Sequence, residues 1–378
     1  MQFELTEEQR QFADALRKWA ERGYGFEHRQ QVARSDAGTD AADWAAIAEL
    51  GLPALGVPAE CDGLGGGGAE HLVAMQEMGR ALLAEPLFAT LWGCAFLRGA
   101  PGHEALLARV ATGEARLACA VAEAAAPHDL DEVACRAQPH PEGWTLTGTK
   151  SHVVYGAQAD VLIVSARSAG ARDACEGISL FAVPADATGL VRIDSMTIDG
   201  QRVAQVELRG VQLPASALVG EAGQGWERLE AACDFGAALL CAEGLGLLEA
   251  MQETTLEHLR TRQQFGKPIG TFQALQHRMA EAFLHIEQAR SMAWLAAAHA
   301  GSSDAAARRR AVSAAKARVG EALRFVGQAV VQLHGGLGVS DEMRVTHLFK
   351  RATAIELTLG DTDYHVTRLA AQPDFAPA

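Results

Sequence analysis

Apolar residues recur at three- and four-residue steps over most of this chain and at shorter steps over a block near its middle. Near the start, Thr6 and Gln9 have the spacing of a helix capping box, and Phe12, Leu16 and Trp19 follow on one helical face. Trp44, Ile47 and Leu50 mark a second helix over about 41–50, which Gly51 and Pro53 close. The run Gly63-Leu-Gly-Gly-Gly-Gly68 has no strand before it and no Lys-Ser/Thr after it, so it reads as a flexible entry to the next helix, not a phosphate loop. Helical patterns continue through Leu82 and Leu91 to about Gly113. The signal then changes. Trp144-Thr-Leu-Thr147, Val161-Leu-Ile-Val-Ser165, Ile178-Ser-Leu-Phe-Ala-Val183 and Val206-Glu-Leu208 are short strand-like pieces separated by Gly, Pro and Asp. Such spacing predicts a small β-barrel or sandwich. After Gly225 the helical period returns over about 226–264, 271–300, 303–334 and 341–359, with a short helix after Asp361. Four long amphipathic helices with short joints predict a bundle. The fold class expected is therefore mainly α with a central β-domain, divided as 1–114 (helical), 115–224 (β-domain) and 225–378 (helical bundle).

The joint between the first two bundle helices carries candidate chemistry. Gly266 and Pro268 force the chain out of the first helix, and Thr271 is placed to cap the second. Arg262, Phe265 and Gln273 ring this corner. A cation, a ring and an amide suit a nucleotide with a pyrophosphate and a flat base. The same residues also fit a plain sharp turn with an exposed Arg and a buried Phe.

Composition narrows the choices. The chain has 378 residues, 49% of them hydrophobic, and no uninterrupted apolar run reaches the roughly 18 residues of a membrane span. Lys plus Arg total 33 against 47 Asp plus Glu, a net charge of −14, which disfavours nucleic acid as a partner. Arg308-Arg-Arg310 reads as a solvated helix face. Seven cysteines without a C-x-x-C pair argue for reduced thiols, and the start resembles neither a signal nor a transit peptide, so a cytoplasmic location is expected. No strand is followed by Gly-x-Gly-x-x-Gly, which argues against a Rossmann unit. No Glu-x-x-His pair supports a di-iron bundle, and no metal is expected.

The order helices, β-domain, bundle resembles the acyl-CoA dehydrogenase family. Three stretches carry the likeness: Arg262-x-x-Phe265-Gly266 with Gln273; Gln332-Leu-His-Gly-Gly-Leu-Gly338; and the weaker Gly148-Thr-Lys-Ser-His-Val-Val-Tyr-Gly156. The resemblance implies FAD as cofactor. It also implies α,β-dehydrogenation of an acyl-CoA thioester, with hydride passing to flavin N5, and an electron-transfer flavoprotein or similar acceptor. It puts Arg262, Phe265, Gln273, Gln332, Gly335 and Gly336 in the cofactor set, the first two reaching the FAD of a neighbouring subunit. Val153, Val154, Asp361 and Asp363 join that set. Val153 and Val154 stand where the family has Ile-Thr, and Ala120-Val-Ala-Glu-Ala-Ala125 lacks its Gly-Ser-Asp continuation.

The family needs a carboxylate base. Counted from Gly335-Gly336, its usual position falls on Leu359; the alternative position on the first bundle helix falls on Gly236. Neither takes a proton. Glu243, Asp361 and Glu356 lie nearby, with ordinary roles as a buried structural acid, a helix cap and a cation partner. The finer pattern is Cys241-Ala-Glu-Gly-Leu-Gly246, His347-Leu-Phe-Lys-Arg351 and Leu359-Gly-Asp361. It is similar to the small subunit of pimeloyl-CoA dehydrogenase and like heteromeric proteins, in which an unlike partner supplies the base. Three readings follow: an FAD-binding subunit completed by a partner, a self-sufficient homo-oligomer using Asp361 or Glu243, and an assembly subunit without flavin.

Overall fold

The computed structural model describes residues 5–126 and 128–372. The expected capping box at the first helix forms: the Thr6 hydroxyl accepts from the Gln9 amide, and the Gln9 side chain accepts from the Thr6 amide. That helix, α1, spans Glu7–Gly23. α2 (Phe26–Arg34) was not legible as a separate element. α3 (Ala41–Glu49) is capped by Asp40, and α4 (Leu52–Leu55) follows Gly51 directly. α5 (Gly68–Ala81) begins where the glycine run ends, followed by α6 (Leu87–Leu97) and α7 (Glu104–Ala111).

The β-rich block contains β1 (Leu117–Ala120), β2 (Arg136–His140), β3 (Gly143–Val154) and β4 (Val161–Arg167). It continues through β5 (Ile178–Pro184), β6 (Leu190–Met196), β7 (Arg202–Pro214) and β8 (Leu218–Val219). All eight pair into one sheet, ordered β6-β7-β3-β2-β4-β5-β8 with β1 parallel to β4. The fully buried β4 explains why its sequence is a continuous apolar run and not an alternating one.

Next come α8 (Trp226–Thr261), the two-residue strands β9 (Gln263–Gln264) and β10 (Lys267–Pro268), and α9 (Gln273–His299). α10 (Ala305–His334), α11 (Arg344–Leu357) and α12 (Thr362–Ala370) complete the chain. α8 is long and apolar enough to cross a membrane, but its apolar stretch is almost wholly buried in the protein. Thr271 does not cap α9. Its hydroxyl donates to the Pro268 carbonyl, and the cap position is Phe272, which gives no side-chain bond.

The chain forms two compact units. One gathers the described parts of Met1–Gln30, Gly68–Leu83 and Ala237–Ala378; the other holds Gln31–Gly67 and Ala84–Gly236. This grouping cuts across the expected 1–114 segment because α5 packs on α1 and α9. The cause is local. A Cβ at Gly246 of α8 would meet the Gln76 carbonyl of α5 at 1.9 Å, so only glycine lets these helices approach so closely.

In the second unit, fully buried Lys150 donates to Glu123 Oε1 at 2.7 Å and to Ser165 Oγ at 3.0 Å. Burial raises the Glu123 carboxyl, but the Lys150 ammonium and the amides of Cys135 and Ala134 outweigh it and hold it below its usual value. The pair pins β3 where its register to β7 shifts between Lys150 and Val153.

Candidate nucleotide corner and the carboxylates of the bundle

The joint after α8 is a hairpin, not a bare turn. Lys267 pairs with Gln264 and Pro268 with Gln263, leaving Phe265 and Gly266 as the two-residue loop. Both have positive φ, 53° and 77°. A loop of that type needs the left-handed region at both positions, which is free for Gly and costs a residue with a Cβ about 1–2 kcal/mol. The Ile269 amide closes the base of the hairpin on the Arg262 carbonyl at 2.9 Å. Phe265 is not buried, as the plain-turn reading supposed: it is 91% exposed, with its ring edge-on to Phe272 at 6.0 Å. Phe265 thus combines a left-handed backbone with near-full exposure, the kind of local strain that clusters at ligand sites.

Three helices bring the remaining candidates to this end of the bundle. Leu259 of α8, Met279 of α9 and Leu333 of α10 form one buried cluster, with Leu256, Ile269 and Leu275 packed against it. Arg262 lies three residues beyond Leu259, and Gln332 is next to Leu333. Arg262, Gln273, Gln332, Gly335 and Gly336 are all exposed. Gly335 ends α10 at φ 60°, and a Cβ built on Gly335 or Gly336 meets nothing within 4 Å, so the backbone is open to a close approach. A second link crosses the corner: the His258 and His334 rings stack at 4.3 Å and 24°. Sequence reasoning missed this pair, although His258 is one helical turn before Arg262 and His334 stands inside the Gln332–Gly338 motif. Burial lowers both imidazoles below the ordinary value, helped at His258 by His334 and Arg262. His334 Nε2 is buried with no hydrogen-bond partner. An orphaned ring nitrogen, an exposed ring and two open glycines fit one end of a dinucleotide.

The other cofactor candidates lie on other elements. Val153 and Val154 are buried at the end of β3, opposite Ala204 and Val203 of β7. Asp361 caps α12, its Oδ1 accepting from the Tyr364 amide at 2.8 Å, and Asp363 is exposed in the first turn.

The carboxylates near the expected base positions are committed. Glu243 takes two hydrogen bonds from the buried Arg351 guanidinium. Glu356 accepts from the Thr362 amide and hydroxyl at 3.3 and 3.1 Å. Leu359 has φ 56°. Its carbonyl binds His365 Nε2 at 2.9 Å, and the next carbonyl, of Gly360, accepts from Lys316 Nζ at 2.8 Å. Burial brings the Lys316 amine down to about 8.

The chain belongs to the acyl-CoA dehydrogenase family: the N-terminal, middle and C-terminal domain models of that family match residues 6–97, 118–211 and 223–372. The class is that of FAD-dependent oxidoreductases acting on a CH–CH bond. Among curated relatives, the probable acyl-CoA dehydrogenase YngJ of Bacillus subtilis is 27% identical, covering 98% of this chain and 99% of that protein. The NADH-dependent acryloyl-CoA reductase of Anaerotignum propionicum is 26% identical over 98% and 96%. Among solved structures, a single-residue variant of the steroid acyl-CoA dehydrogenase Tcur3481-Tcur3483 superposes with a TM-score of 0.86 at 30% identity, covering 96% of this chain and 97% of that one. The ChsE4-ChsE5 complex of Mycobacterium tuberculosis gives 0.87 at 25%, with both chains fully covered.

Proposed function

We propose that this chain is the FAD-holding subunit of an acyl-CoA dehydrogenase whose proton-abstracting carboxylate comes from an unlike partner subunit. One observation carries the reading. Both family base positions, Leu359 and Gly236, lack a carboxylate, and the acids beside them already serve the fold. A base must be free to take a proton and must reach the carbon that loses it. Glu243, forked onto a buried arginine, gives up two charge-assisted bonds if it protonates. Asp361 would release a helix N-terminus. The names of two similar solved structures, Tcur3481-Tcur3483 and ChsE4-ChsE5, each pair two components, which supports a two-chain enzyme here. The finer likeness to the small subunit of pimeloyl-CoA dehydrogenase belongs to the same proposal.

In this reading the chain's contribution is binding and orientation. Arg262 forks onto a phosphate. Phe265 gives its face to the adenine, and its hairpin sets that ring before the ligand arrives. Gln273 and Gln332 offer amide donors, and Gly335 and Gly336 admit the ligand close to the backbone. Val153, Val154, Asp361 and Asp363 complete the proposed cofactor set. When bound, FAD supplies the acceptor for the substrate's β-hydrogen as hydride. An electron-transfer flavoprotein is the proposed onward acceptor.

The test is turnover of acyl-CoA thioesters with a reducible dye. The purified chain is expected to be yellow and inactive, with activity appearing when the glutamate-bearing partner is added. Turnover by the chain alone, abolished by Asp361→Ala or Glu243→Gln in folded protein, establishes the self-sufficient enzyme instead. A colourless preparation that takes up no FAD, alone or with the partner, establishes the assembly subunit.

A further inference from the structure

A cleft of about 390 Å³ opens in the unit that gathers α1, α5 and the bundle. Its walls come from α1 with the turn after it, α5, α8 and α11, and none of its lining residues is a cofactor or base candidate named above. Two of its three arginines are matched within the protein. Arg17 of α1 forks onto Glu77 of α5, at 3.1 and 2.6 Å. Arg80 of α5 donates to Glu249 and Glu253 of α8, at 2.8 and 2.5 Å. Arg344, the first residue of α11, is the exception. Its Nη2 donates to the Arg80 carbonyl at 2.5 Å, and among the described residues the guanidinium has no carboxylate partner. Burial and the Arg80 charge both weaken its cationic form, with Glu253 opposing them. Nε and Nη1 are nonetheless not sealed in the interior, so donors stay open where Arg344 lines the cleft.

We propose that this cleft binds a small monocarboxylate, gripped through its carboxylate by Arg344. A half-buried guanidinium without a countercharge gains most from an anion that takes two of its N–H groups at once, and a planar carboxylate has that geometry. The cleft volume falls within the range of small-molecule pockets. The rest of the lining sets the class. Ala20, Ala81 and the half-buried Phe26 ring offer apolar contact to a short tail. With Arg17 and Arg80 already committed, one unpaired cation accommodates one negative charge. The exposed Glu21 on the same wall as Arg17 stands against a second, so dicarboxylates and phosphate are disfavoured. Binding is non-covalent and changes no bond of the ligand. The inference is independent of where FAD binds, since the two sets of residues do not overlap.

The experiment titrates sodium butyrate into the purified full-length protein, with any flavin or partner it carries, by isothermal calorimetry. Saturable binding is expected, with succinate and inorganic phosphate weaker by about tenfold or more. Arg344→Gln removes the charge but keeps an amide donor for the Arg80 carbonyl, and is expected to weaken butyrate roughly 10- to 100-fold. Ala20→Leu leaves every charge in place and fills part of the cleft, and is expected to weaken butyrate as well. Both variants are expected to keep the wild-type melting temperature and flavin content. A wild-type protein that takes up no butyrate overturns the proposal, and so does an Arg344→Gln protein with wild-type affinity. Where Arg344→Gln melts early, Ala20→Leu decides: unchanged affinity there puts the butyrate at another site and sinks the proposal. Succinate or phosphate binding as tightly as butyrate overturns the assignment to monocarboxylates.

Discussion

Glu243 of α8 accepts hydrogen bonds from both Nε and Nη2 of Arg351 on α11, at 2.6 and 2.8 Å, and both side chains are buried. The fork joins two helices across 108 residues of sequence. Such a fork is of the charge-assisted, bidentate kind that fixes two side chains against each other. Arg351→Ala strands a buried carboxylate and is expected to cost about 3–5 kcal/mol in thermal or urea unfolding. Glu243→Gln keeps the shape and weakens the pair. It is expected to lower stability by about 1–3 kcal/mol while leaving FAD content and partner-dependent turnover within a few-fold of wild type.

The exposed corner predicts the opposite pattern. Arg262→Gln and Phe265→Ala touch no core, so their melting temperatures are expected to match wild type within the range of ordinary surface changes, about 0.5 kcal/mol. Their flavin-to-protein absorbance ratio falls. For Arg262→Gln, losing charge-assisted bonds of about 1.5–3 kcal/mol predicts a roughly 10- to 100-fold weaker FAD affinity. Full flavin occupancy after extensive dilution contradicts the assignment.

The Lys150–Glu123 pair makes a coupled prediction. Lys150→Met leaves the buried Glu123 carboxylate with the Ala134 and Cys135 amides but no countercharge, and is expected to cost about 3–5 kcal/mol. Adding Glu123→Gln restores part of that loss, because the uncompensated charge leaves while an acceptor remains for the Ala134 and Cys135 amides. Equal melting temperatures for the single and double variants speak against the ion pair. The sign with pH follows from Glu123 being held below its usual value: its contribution is present above the unfolded carboxyl range and is lost as pH falls through the lower folded value.

Glu85 titrates the other way. Its Oε1 accepts from the Asp40 amide, while the buried Oε2 has no partner. Burial raises this carboxyl from 4.5 to about 8. Between those values the native state binds a proton that the unfolded state has released. Stability is thus fullest below the unfolded value and declines as pH rises toward 8, by at most about 1.4 kcal/mol per unit. Glu85→Gln supplies a permanently neutral group. Urea unfolding at pH 6 and 8 is expected to show a smaller decline for the variant by about 1–2 kcal/mol; identical declines rule Glu85 out as the source.

Much of the architecture was legible because it is written locally. Thr6 and Gln9 are three residues apart and cap α1 without help from the rest of the chain. The apolar steps after Gln273 mark α9, and the short β-rich runs around Val161 and Ile178 become β4 and β5. The corner was legible as a motif but not as a shape. Gly266 and Pro268 predicted a break, whereas the left-handed Phe265 and its 91% exposure depend on a hairpin that Gln263–Gln264 and Lys267–Pro268 form together.

By itself, the sequence determined the order of helical and β segments, the spacing of Arg262, Phe265 and Gln273, and the lack of a carboxylate at Leu359 and Gly236. Each of these depends on neighbours within a few turns or on residue identity alone. Only the tertiary structure decided that Glu243 belongs to Arg351, that His258 stacks on His334, and that Leu259, Met279 and Leu333 gather the ends of three helices. Those pairings join residues that periodicity treats as unrelated. They exist because packing brings distant helical turns together, and burial then selects a partner for each side chain.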